Sequence, residues 1–192
     1  MQKPLLGEKI AVLVANGFSE KDLTATQREL MAAGANMRIV SMDHGLVNSW
    51  SDEGWGLNFA ADQVLSEALA VDYTMLMIPG GERSIEKLKL TAHTRRFLGG
   101  FMKANKPVAL FEEAVSLLAF AQTAEGKTIA GAEAKKAEVE EAGAIWSDEA
   151  VAIDQHLITG KSDTESRESF ARAVFEFLKK AAEENAQALQ AA

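Results

Sequence analysis

Lys106 to Ala119, KPVALFEEAVSLLA, is the stretch that decides the fold. A short apolar run, Val108-Ala109-Leu110-Phe111, stops at two acids, Glu112 and Glu113. Val115, Leu117, Leu118 and Ala119 then resume an apolar pattern that suits a helix. A buried parallel strand that turns sharply into a helix reads this way. The residue at such a corner stands above the carboxyl end of the sheet, where open α/β folds keep their sites. That residue is Glu112. The plainer reading is an acidic first turn complementing the helix dipole, with no function attached.

Outward from the corner, Lys9–Ala15 (KIAVLVA) reads as a second buried strand followed by an Asn16–Ser19 turn. Ser19 suits an N-cap, and Leu23, Gln27, Leu30 and Met31 space as a helix ending near Gly34. Met37–Met42 and Tyr73–Ile78 are further strands, the latter running into Pro79-Gly80-Gly81. His44–Asp62 reads as irregular, punctuated by Gly45, Gly54 and Gly56 and anchored by Trp50 and Trp55. Thr91–Ala104 and Glu133–Ala142 are helical, and 144–146, 150–153 and 157–159 are short strands. Asp163 opens a long closing helix whose tail, 181–192, extends it or frays. Strands alternating with helices imply a three-layer α/β sandwich with a mainly parallel sheet. No repeat or linker divides the chain, so 1–192 is expected to form one domain with its core at about 9–178.

The 192 residues are enough to bury a real core, and 47% apolar with 25% charged residues is ordinary globular composition. A net charge of −8 argues against nucleic acid and anionic membrane as partners. No apolar run approaches the roughly 20 residues of a membrane span, and the first residues lack a signal-peptide core, so a cytoplasmic address is expected. Cysteine is absent, which excludes disulfides, thiolate ligands and cysteine nucleophiles.

KIAVLVANGFSEKDL, IPGGERSIEKL, KPVALFEEAVSLLA and EVEEAGAIWSDEAVAIDQHLITGKS, in this order and spacing, resemble the DJ-1/PfpI (ThiJ/PfpI) superfamily. The resemblance covers Lys9 to about Leu178. It implies a flavodoxin-like sandwich, of the kind shared with class I glutamine amidotransferases, and a homodimer. The family includes deglycase- and glyoxalase-type enzymes, proteins named as proteases, and stress proteins. Its elbow reads Cys-His-Gly; laid on this chain, those places fall at Glu112, Glu113 and Ala114. The family glutamate that hydrogen-bonds the cysteine falls at Ser19, and a second glutamate, contributed across the dimer in the PfpI branch, matches Glu86. The pattern is similar to the C-terminal domain of large-subunit catalases, which lacks the cysteine and carries an acid near the corner.

Two functional readings follow, beside that of a purely structural dimer. One is a non-catalytic, stress-related module that binds a small anionic or polar ligand, or a protein, through Ser19, Gly80, Gly81, Glu86, Glu112 and Glu113. The alternative is a carboxylate-dependent hydrolase or lyase using Glu112, since paired carboxylates do acid–base work when like charge separates their pKa values. No metal and no cofactor are expected: His44, His93 and His156 share no ligand spacing and read as loop or surface residues. Gly80-Gly81 before a helix offers N–H groups to an anion, or is simply a tight turn. Glu112 beside a donating Ser19 hydroxyl would imitate an oxidised elbow cysteine, and Glu112→Gln would then lower stability.

Overall fold

The computed structural model describes residues 3–191. The order of elements is β1 (Lys9–Val14), β2 (Phe18–Ser19), α1 (Glu20–Ala32), β3 (Asn36–Ser41), β4 (Leu46–Ser51), β5 (Gly54–Ala60) and β6 (Gln63–Val64). There follow β7 (Met75–Ile78), α2 (Glu82–Leu88), α3 (Ala92–Lys103), β8 (Val108–Phe111) and α4 (Ser116–Phe120). The chain ends with β9 (Thr128–Ile129), α5 (Lys136–Glu141), β10 (Ile145–Trp146), β11 (Val151–Asp154), β12 (Leu157–Gly160) and α6 (Arg167–Ala191).

The main sheet has seven strands in the order β11-β12-β8-β7-β1-β3-β6. All its pairings are parallel except β11 with β12. Alternation along each strand explains the unbroken apolar runs, because both faces are covered. On β1, Ile10, Val12 and Val14 face α1 and α6, packing with Leu23, Leu30, Phe170, Val174 and Leu178. Ala11 and Leu13 face the other way, into a core with Ile85 and Leu88 of α2, Phe97 and Phe101 of α3, and Leu117 of α4. These are the three layers expected of the flavodoxin-like class.

Three expectations needed correction. The 44–62 segment is not irregular: β4 and β5 form an antiparallel hairpin, and β2 adds to β4. Trp50 faces Trp55 across the hairpin, ring centroids 5.4 Å apart, and such aromatic cross-strand pairs stabilise a two-stranded ribbon. The closing helix begins at Arg167 rather than Asp163, whose carboxylate instead accepts from the N–H groups of Glu165 (3.0 Å) and Ser166 (2.9 Å) just upstream. After Glu112 the chain makes a 3₁₀ turn over Glu112–Val115 before the five-residue α4, so little helix dipole stands behind the corner.

Candidate functional site: a carboxylate-lined elbow

Strand register assembles the corner. β8 runs beside β7 with Leu110 opposite Ile78, and beside β12 with Phe111 opposite Gly160. Just past these pairings the chain sets Glu112 between Gly80 and Ser162. Glu112 turns the corner with φ of +47°, a left-handed conformation that costs a non-glycine residue about 1 kcal/mol. Gly80 has no side chain because none would fit: a Cβ there would lie 2.9 Å from carboxylate oxygens of both Asp22 and Glu113 and 3.1 Å from Glu112 Cβ. Gly81, at φ +109°, would push a Cβ to 2.6 Å from the Gly17 carbonyl.

The two corner acids point apart. Glu112 Oε1 accepts the N–H of Ser162, while Glu113 Oε2 accepts the N–H of Gly81 at 2.9 Å. Between them lies an acid the sequence reading did not single out, Asp22, on the buried face of α1. Its Oδ2 accepts the Gly80 N–H at 2.9 Å. Its Oδ1 takes the Ser162 hydroxyl and the Arg167 Nε–H, the latter at 3.3 Å. Ser162 thus links the two acids, its N–H to Glu112 and its O–H to Asp22.

Burial pushes the Glu112 carboxyl up to about 7, and the charges of Glu113, Asp22 and Asp163 add to it against the pull of the Ser162 N–H. A carboxyl near 7 is partly protonated at neutral pH, so desolvation and like charge outweigh the dipole of this short helix start. Burial also raises Asp22, opposed by Ser162, Gly80 and Arg167.

The remaining candidates fall in different places. Ser19 caps α1, its hydroxyl accepting from the Asp22 N–H at 3.3 Å, and the donors to the corner carboxylates are Ser162, Gly80, Gly81 and Arg167 instead. The Ser19–Glu112 pairing drawn from the sequence is thus replaced by Ser162–Glu112. Of the two alternatives for Gly80-Gly81, the structure has the tight turn, with Gly81 at positive φ, and their N–H groups are taken within the chain by Asp22 and Glu113. Within the chain, Glu86 belongs to a separate ion-pair cluster, 3.2 Å from Lys89 and 3.6 Å from Lys135. Burial works to raise its pKa, but those two lysines outweigh it and hold the carboxyl low. His44 and His93 are exposed, and His156 is half-buried in the turn between β11 and β12, so each is the loop or surface residue expected. Among the described residues, no group of three His, Asp or Glu side chains has metal-holding geometry.

Glu112 thus stands at a sharp corner past the carboxyl end of β8, in a mainly parallel sheet. The DJ-1/PfpI family model matches residues 8–177, and the chain belongs to that family. Among curated relatives is "Putative cysteine protease YraA" of Bacillus subtilis, 25% identical over 174 residues, covering 91% of this chain and all of that one (100%). General stress protein 18 of the same organism is 25% identical over 171 residues, 86% of this chain and 98% of the relative. The crystal structure of a ThiJ/PfpI domain protein from Brachyspira murdochii superposes with a TM-score of 0.80 at 20% identity, covering 91% of this chain and 98% of that one. This chain is a family member without cysteine.

Proposed function

We propose that this protein is a non-catalytic member of the family, a binding module whose elbow is closed by its own carboxylates. One observation carries the reading: the backbone donors of Gly80 and Gly81 are occupied from within, by Asp22 and Glu113. Covalent chemistry at the elbow needs a nucleophile and free donors for a developing oxyanion. This corner has no thiol, and neither of those two donors is free. What it offers a partner is the half-buried Glu112 carboxyl, poised near neutrality to donate or accept one hydrogen bond to a polar ligand. The name of General stress protein 18 supports a stress-related setting.

The expected result is no glyoxalase, deglycase or peptidase turnover above a buffer blank with methylglyoxal, glycated amine or peptide substrates. Turnover that co-purifies with the protein and vanishes in Glu112→Ala overturns the reading. A second reading, acid–base catalysis by Glu112, is favoured specifically by its carboxyl standing near 7. Its signature is a pH–rate profile with an apparent pKa near that value, abolished in Glu112→Gln.

Homodimerisation belongs to the same proposal. The hairpin exposes Leu46 (65%), Trp55 (56%) and Leu57 (61%), and Trp55 and Leu57 lie two residues apart on one face of β5. Light scattering is expected to give about twice the 20.7 kDa chain mass, falling to one chain in a Trp55→Ser, Leu57→Asp double variant. A monomeric parent protein removes the dimer from the proposal.

A further inference from the structure

At the end of the sheet opposite Glu112, a groove of about 560 Å³ runs along α3 beside the turn that joins β11 to β12. Among the described residues, four of its eleven lining residues are cationic, Arg95, Arg96, Lys103 and Lys127, and none is acidic. That segregation stands out in a chain with 28 acidic and 20 basic side chains. Gly99 and Gly100 of α3 also line it, and a Cβ on Gly99 would meet nothing within 4 Å.

The cations differ in what they have left to give. Arg96 is structural, one terminal nitrogen reaching the carbonyls of Leu65, Ser66 and Ala68. Arg95 is fixed but not spent: its Nε donates to the Phe120 carbonyl at 3.0 Å and its guanidinium lies 5.1 Å from the Phe120 ring centre. Its two terminal nitrogens have no protein partner among the described residues. Lys127 stands 3.9 Å from Asp154, whose other oxygen is held by the Thr128 N–H. Lys103 forms no ion pair among the described residues and is exposed. His156 lines the groove too, and its Nε2 is buried without a hydrogen-bond partner. Buried polar atoms in folded proteins nearly always have a partner, so this one is an exception beside the groove.

We propose that this groove binds a phosphorylated small molecule, held by Arg95, Lys103 and Lys127 beside His156. A preset guanidinium fork beside two point cations matches tetrahedral phosphoryl oxygens better than a lone carboxylate. The groove has the volume of a small-ligand site, and the acidic remainder of the surface repels an extended polyanion. This site is independent of the elbow.

The test is an NMR titration of the full chain with inorganic pyrophosphate at low ionic strength. Saturable shifts confined to Arg95, Lys103, Lys127 and His156 are expected, with sulfate at matched ionic strength giving weaker ones. The double variant Lys103→Glu, Lys127→Glu should weaken binding at least about tenfold. Arg95→Lys, which keeps charge but loses the fork, should also weaken it, while Glu112→Gln should leave it unchanged. Absence of saturable shifts up to about 10 mM pyrophosphate, an affinity too weak for a built site, overturns the proposal. So does equal binding by the charge-reversed protein, given unchanged circular dichroism.

Discussion

Asp22→Ala is expected to destabilise the protein by about 3 kcal/mol, the scale of breaking a buried ion pair from one side. Asp22 is 1% exposed and satisfies the Gly80 N–H, the Ser162 hydroxyl and the Arg167 guanidinium together. Removing its carboxylate leaves three donors facing a small void, and the charged Arg167 is the costliest of them to abandon. Arg167 keeps 19% of its side chain exposed, so water recovers part of the loss, and the upper end of the usual 3–5 kcal/mol range is not reached. Asp22→Asn should cost less, since the amide oxygen still accepts from one side while its NH₂ meets donors on the other. Urea unfolding measures both. A loss under about 1 kcal/mol in Asp22→Ala would mean that Asp22 is not the fastener of α1, β7 and α6 that its bonds describe.

Much of the fold was legible because burial on two faces leaves a plain mark. The runs at 10–14, 75–78 and 108–111 are apolar at every residue, as strands covered on both faces of a parallel sheet require. The corner was legible for a related reason, since apolar character ends abruptly at Glu112 where the strand leaves the core. The β4–β5 hairpin was not. Its residues alternate weakly, two glycines interrupt them, and its order comes from Trp50–Trp55 and pairing with β2, which composition does not display.

Within the site, the sequence pointed at Glu112 and Glu113 but missed their partners. Asp22 lies in Glu20-Lys21-Asp22, which reads as a solvated, dipole-complementing first helical turn. The available clue was position: Asp22 shares the helix face of Thr26 and precedes Leu23, all three buried. Ser162 and Arg167 come from 140 and 145 residues beyond Asp22, and only the register of β12 on β8 carries Ser162 to the corner. Reading Ser19 as the donor to Glu112 followed a chain alignment; the geometry gives Ser19 to the helix cap and the donor role to Ser162.

The pH dependence of stability should carry the mark of Glu112. Its carboxyl titrates near 7 in the folded protein against an ordinary value of 4.5, so between those values the native state holds a proton that the unfolded chain has released. Stability then falls as pH rises across that window. The stabilising contribution is complete below pH 4.5 and gone once pH passes 7. A shift of this size corresponds to at most about 3 kcal/mol, and solvent reaching a half-buried side chain reduces it to about 1–2 kcal/mol. Glu112→Gln keeps an oxygen for the Ser162 N–H and removes the charge that Glu113, Asp22 and Asp163 oppose. The variant is therefore expected to melt several degrees higher than the parent at pH 8 and nearly level with it at pH 5. This reverses the expectation of an ion held contentedly at a helix start. Thermal melts of both proteins across pH 5 to 8 decide the matter. Parallel curves with no convergence at low pH would place the Glu112 carboxylate in water, ionised throughout, and would withdraw the poised acid from the elbow.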